Sequence, residues 1–93
     1  MTILTKEEIN QKLTHHFGWK VENKQLAREF HFRDFVDALD FVNKVGVAAE
    51  EINHHPDIFL HSWNKVKITV STHSEGGITN KDFQLLDKIQ KVL

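Results

Sequence analysis

The single proline of the chain, Pro56, closes a long run of helical periodicity, and that boundary constrains the fold more than any other feature. Upstream of it, Phe35, Leu39, Val42, Val45, Ala49 and Ile52 recur at spacings of three and four. Such a stripe predicts a core-facing helix of about five turns, with Asp34 as its N-cap. Proline forbids the helix beyond that point and pushes His55 toward extended backbone. The helix is therefore expected over 33–53.

On either side of this helix the period drops from helical to alternating. Trp19 and Val21 alternate with Lys20 and Glu22, and Asn23-Lys24 can turn the chain. Leu26, Phe30 and Phe32 then fall on one side, with Glu29 and His31 on the other, which predicts a hairpin of short strands and a solvent-facing His31. After Pro56, Ile58 to Trp63 and Lys65 to His73 predict a second hairpin, with Val66, Ile68 and Val70 on one face. Trp63 reads as a core or interface aromatic.

The ends of the chain are also helical. Thr5 to Glu8 fits a capping box, with Leu4 and Ile9 as a hydrophobic staple. Ile9, Leu13 and Phe17 form one stripe that Gly18 would end, which puts His15-His16 in the last turn, where a cation favours the helix dipole. Thr79 caps a final helix expected over 79–92, with Phe83, Leu86, Ile89 and Leu93 facing the core. The order is α-β-β-α-β-β-α. Short hairpins imply an antiparallel sheet, and amphipathic helices need an apolar sheet face to cover. The expected fold is an α+β two-layer sandwich: one four-stranded antiparallel sheet with helices packed on one face.

A chain of 93 residues supports a single domain, 1–93, since two cores would leave neither enough burial. Its 12 basic and 13 acidic side chains give a formal charge of −1, so no basic field for direct contact with nucleic acid is present. The absence of cysteine excludes disulfides and thiol nucleophiles. With no apolar run of membrane-spanning length and no signal-peptide pattern, a cytoplasmic location without membrane contact is expected. Seven histidines are many for this length, and imidazole titrates near neutrality.

The informative stretch runs from Glu50 to Asp82. It holds Glu50-Glu51-Ile52-Asn53-His54-His55-Pro56-Asp57, then Asn64-Lys65-Val66, then Ser71-Thr72-His73 and Gly76-Gly77. These motifs, in this order, resemble the pterin-4a-carbinolamine dehydratase family. That family has an acidic residue four before a His-His-Pro-acidic tetrapeptide, an Asn-Lys-Val hairpin and a Thr-His ending the next strand. The resemblance covers essentially the whole chain, although the segment between Pro56 and Asn64 is one residue longer than the commoner spacing.

What the resemblance implies is dehydration of 4a-hydroxytetrahydrobiopterin to quinonoid dihydropterin, in tetrahydrobiopterin recycling. His54, His55 and His73 are then the catalytic residues, and Glu50, Pro56, Thr72, Ser74, Glu75 and Asp82 the substrate-binding ones. The chemistry suits these residue types. Expelling the hydroxyl and removing a proton from the neighbouring nitrogen both need an acid or base that works near neutrality, with no nucleophile, metal or cofactor. Adjacent residues in extended backbone point to opposite sides, so His54 and His55 should differ in role. His54 and His73 are expected to transfer protons at the leaving hydroxyl, and His55 to orient the ring or accept its proton. Glu50, four before His54, is one helical turn away and could hold an imidazole in one tautomer. Asp82, at the N3 position after Thr79, also suits a helix start without any further role.

Two other readings compete. Three histidines and a glutamate could bind zinc, but two adjacent histidines rarely chelate one ion and no i, i+4 histidine pair exists, so no metal is expected. The other is a non-catalytic module, since some members of the family act as a dimerisation partner of a transcription factor or assist assembly of another enzyme. The complete histidine set favours activity. A small domain with open sheet edges, together with the resemblance, implies a homodimer or homotetramer.

Overall fold

A computed structural model describes residues 2–93. Among them the order is α1 (Lys6–Leu13), β1 (Lys20–Glu22), β2 (Gln25–His31), α2 (Phe35–Glu51), β3 (Asp57–His61), β4 (Lys65–Val70), a 3-10 turn (His73–Glu75) and α3 (Asn80–Lys91). The four strands form one antiparallel sheet in the order β1-β2-β4-β3, as the two-hairpin pattern requires.

Each α-helix begins where a side chain can satisfy free backbone donors. Thr5 Oγ1 accepts from the Glu8 amide at 3.1 Å while Glu8 returns a carboxylate to the Thr5 amide at 2.8 Å. Asp34 caps α2 through the Asp37 amide at 2.8 Å. Thr79 and Asp82 form the capping box of α3. The hairpins are closed by short turns with two consecutive residues of positive φ: Asn23 and Lys24 in the two-residue first turn, Ser62 and Trp63 in the second, which Asn64 completes. Positive φ at both positions matches the turn to the twist of a hairpin.

The covered face of the sheet presents Leu26 and Phe30 beside Val66, Ile68 and Val70, all buried. Both α2 and α3 pack on this face, in a single cluster with Phe41, Val45, Phe83, Leu86 and Ile89. Leu4, Ile9 and Leu13 bring the N-terminal segment onto the same cluster. The opposite face carries Glu29, His31, Lys65, Lys67, Phe59 and His61, with His31 and Phe59 exposed. No helix among the described residues is long and apolar enough to cross a membrane.

Several expectations shift. The first helix ends at Leu13 rather than at Gly18, and Phe17 is 93% exposed. The Thr14 hydroxyl bonds the Gln11 carbonyl, and Arg28 takes the Phe17 carbonyl at 3.2 Å, so the chain leaves the helical path before Phe17 can join the stripe. His15 and His16 thus lie beyond the helix. His16 ties that turn to α3, its ring nitrogens reaching the Lys12 carbonyl and Asp87, each at 2.8 Å.

On α2, Phe35 and Leu39 are exposed, while Ala38, Phe41, Val45, Ala48 and Ala49 face the core. Phe41 sets this rotation by packing on Phe30 and Phe32, with ring centroids 4.7 and 4.9 Å away. The alanines let the helix approach the sheet. Leu93 lies past the end of α3 and is exposed. Trp63 is exposed in its turn rather than in the core.

Candidate functional site

The last turn of α2 decides where the paired histidines sit. Asn53 adopts left-handed φ of 50°, and the amides of Asn53 and His54 return to the carbonyls of Glu50 and Ala49. These two bonds make a Schellman cap, which places Asn53 just past the helix and His54 one residue further on. Asparagine tolerates the left-handed region better than other side chains that bear a Cβ. Pro56 then prevents any return to helix. His54 and His55 consequently leave the cap on diverging sides.

His54 turns inward. Its Nε2–H donates to Asp82 Oδ1 at 2.5 Å, with the histidine side chain 12% exposed and the aspartate 0% exposed. The second oxygen of Asp82 accepts from the Thr72 hydroxyl at 2.9 Å and from the Thr79 amide at 2.8 Å. Since the Thr72 proton is committed to Asp82, the 2.8 Å contact between the two threonines has the Thr79 hydroxyl donating. Three donors of the network, from His54, Thr72 and the Thr79 amide, therefore point to one buried carboxylate. The arrangement joins the end of α2, the segment after β4 and the start of α3. It also fixes the His54 tautomer, with the proton on Nε2 and a lone pair on Nδ1.

His55 turns outward. Its Nε2–H bonds Glu50, and both side chains are largely exposed, at 56% and 74%. Glu50 thus serves His55, not His54, because the Schellman cap rotates His54 away from the helical position four residues on.

His73 does not end a strand. The ladder of β4 stops at Val70, and His73 opens the 3-10 turn that also contains Ser74 and Glu75, all three exposed. Thr72 bridges Gly77, whose carbonyl accepts from the Thr72 amide at 2.8 Å, so the loop closes on itself. His73 lines a depression of about 190 Å³ with Asn23, Lys24, Gln25 and Ser71. The register explains this gathering. Leu26 pairs with Val70 and Asp57 with Thr69, so the β1–β2 turn, the His73 loop and the His54-His55-Pro56 segment share one end of the sheet.

The nine residues singled out in the sequence thus separate into groups. Asp82 and Thr72 are buried, with their polar atoms engaged inside the protein, so neither side chain is free to touch a ligand directly. Glu50, His55, His73, Ser74 and Glu75 are accessible, and Pro56 is half-buried between them. Sequence reading did not count Asn53, Thr79 or the Asn23–Gln25 turn among the site residues. Asparagine followed two residues later by His-Pro was a usable signal for the cap; Asn23-Lys24 marked the turn but not its place beside His73. Among the described residues, no group of three His, Asp or Glu side chains is placed to hold a metal ion.

Comparison with known proteins agrees with this architecture. Residues 2–92 match the family model for pterin 4 alpha carbinolamine dehydratase. A provisionally named pterin-4-alpha-carbinolamine dehydratase of Sulfolobus acidocaldarius is 43% identical over 89 residues, covering 96% of this chain and 97% of the relative. Its counterpart in Herpetosiphon aurantiacus is 44% identical over 92 residues, covering 99% and 95%. The crystal structure of a transcriptional coactivator/pterin dehydratase from Brucella melitensis superposes with a TM-score of 0.91 at 33% identity, covering 98% of both chains. A pterin dehydratase-like protein described as a RuBisCO assembly factor in the alpha-carboxysome shares the fold, with a TM-score of 0.67 at 21% identity over 84% of this chain and 92% of its own. With the motifs, the fold and full-length relatives in agreement, the chain belongs to the pterin 4 alpha carbinolamine dehydratase family.

Proposed function

We propose that the protein dehydrates a 4a-hydroxytetrahydropterin to quinonoid dihydropterin and water, by histidine acid–base catalysis, in tetrahydrobiopterin recycling. The observation that carries this reading is the buried Asp82 carboxylate, which orients His54 and leaves its Nδ1 as a base of fixed tautomer. In the reaction the C4a–O bond breaks as the leaving hydroxyl gains a proton. The neighbouring ring nitrogen loses one, and its electrons form the new C=N bond. Two proton transfers of this kind suit imidazoles, which are both acid and base near neutral pH.

His54 and His73 take the transfer at the hydroxyl. His55, steadied by Glu50, orients the ring or accepts its proton. The flat ring lies against the His73 depression, with Ser74 and Glu75 as hydrogen-bond partners and Pro56 as a rigid wall. Asp82 and Thr72 act through His54 as positioning residues.

An alanine series tests the roles. His54→Ala and His73→Ala should each lower kcat by about 10²–10⁴ in folded protein, with the double variant losing more. His55→Ala should act mainly on KM, since an orienting contact exists in ground and transition states alike. Full activity in all of these variants would end the catalytic assignment. A wild-type protein with no rate above the uncatalysed background would leave the binding or assembly module as the better reading.

We also propose that copies associate into a homodimer or homotetramer. The strand order leaves β1 and β3 as open edges, and pairing edges across a two-fold axis removes that exposure. Light scattering should give a multiple of the chain mass; a monomer at micromolar concentration would contradict it.

A further inference from the structure

The depression beside His73 holds polar groups that the protein itself leaves unused. Leu26 pairs with Val70, so Gln25 and Ser71, the next residues of the two chain segments, lie side by side along its lining. Ser71 is only 8% exposed, yet its hydroxyl has no hydrogen-bond partner among the described residues. No fully buried side-chain nitrogen or oxygen among them is unpaired, so this hydroxyl opens into the depression. The carboxamide of Gln25, half-buried, is likewise without a partner among those residues. Polar groups sheltered from bulk water are normally hydrogen-bonded, and two neighbours with free capacity mark a place where a ligand completes the pairing.

We propose that Gln25 sets the specificity of the site by hydrogen-bonding the lactam edge of the bound pterin. The inference rests on placing the ring against His73, and it names a residue outside the set assigned to the reaction. In the ring, C4 is bonded to C4a, the carbon that loses the hydroxyl. The C4=O and N3–H groups are therefore the donor–acceptor pair nearest the reacting carbon. With that carbon at His73, the pair falls to the polar groups that share the same depression of about 190 Å³. A carboxamide is the complement of a lactam: Gln25 Oε1 accepts from N3–H while its Nε2–H donates to the C4 oxygen. Lys24 has donors only, and Asn23 is exposed at the turn, where water competes for its amide.

The experiment is a fluorescence titration with two unreactive ligands, pterin and 3-methylpterin, in which a methyl group replaces the N3 hydrogen. Wild type should bind pterin about tenfold more tightly, the usual effect of breaking a neutral pairing of this kind. Gln25→Ala should bind pterin about tenfold more weakly than wild type does. Its Kd for 3-methylpterin should stay unchanged, since the pairing is already absent there. Equal Kd values for the two ligands in wild type would overturn the inference while leaving the ring site and the proposed reaction intact. A preference that persists in Gln25→Ala would overturn it too, whether the variant binds both ligands as wild type does or both more weakly. The lactam would then pair elsewhere, and Gln25 would serve structure at most. If wild type binds neither ligand, the proposed function fails together with this assignment.

Discussion

His54 and His55 are neighbours in sequence and each donates to a carboxylate, yet the two pairs are different physical objects. The His54–Asp82 pair is 12% and 0% exposed; the His55–Glu50 pair is 56% and 74% exposed. A buried carboxylate must have its lone pairs occupied, and Asp82 meets that demand with His54, Thr72 and the Thr79 amide. Glu50 has water for the same purpose. The buried pair is therefore rigid and fixes both a tautomer and the meeting of three chain segments. The exposed pair is held by an interaction that water competes with, which suits a side chain that must adjust to a ligand.

Removing one partner from each pair breaks the comparison most sharply. Asp82→Ala strips three donors of their acceptor in a dry site and should cost about 3–5 kcal/mol in urea unfolding. That is a large share of the roughly 5–15 kcal/mol typical of a domain this size. Glu50→Gln should shift stability by about 0.5 kcal/mol or less. Equal losses in the two variants would contradict the burial argument.

Asp82→Asn sharpens the test, because it keeps the volume and one acceptor but can turn an NH2 group toward His54 Nε2. Two donors cannot face each other, so the imidazole must adopt the opposite tautomer and lose the base at Nδ1. kcat should fall by about 10²–10³ while more of the stability survives than in Asp82→Ala. Loss of stability without loss of rate would make Asp82 a structural residue only.

This contrast was half visible in the sequence. Thr79 and Asp82 already read as a capping box, and the cap forms with both bonds in place. Capping is local chemistry, set by residues three apart. What the spacing could not show is that the other oxygen of Asp82 reaches an imidazole 28 positions earlier. That contact follows from how α2 and α3 dock, a tertiary fact. Glu50 failed for a related reason: the i, i+4 rule holds only while the helix continues, and Asn53 turns it off one residue before His54. Phe35 and Leu39 were misplaced on the stripe of α2 because large side chains were weighed above Ala38 and Ala48, whose small size is what lets the helix lie close to the sheet. The strands were easier to read. Both hairpins formed because short turns leave one register, and alternation then sends Val66, Ile68 and Val70 to one side.

A third imidazole–carboxylate pair, on the open face of the sheet, lies between the two extremes. His61 Nε2–H donates to Glu29 at 2.6 Å, with the side chains 26% and 36% exposed. This bond, helped by the nearby charges of His61, His31 and Lys65, holds the Glu29 carboxyl below the usual glutamate range, against a smaller opposing effect of desolvation. A carboxyl whose folded value is depressed contributes stability above its unfolded value, about 4.3, and loses that contribution as pH falls through the folded value. The stability difference between wild type and Glu29→Gln, followed by urea unfolding from pH 5 downward, should shrink below about pH 4.3. The effect should be the smallest of the series, because both groups remain in contact with solvent and salt screens them. A difference that stays constant down to pH 3 would show that the His61 bond does not favour the charged carboxylate. Glu29 would then be grouped with Glu50, as a surface charge whose pairing leaves no mark on stability.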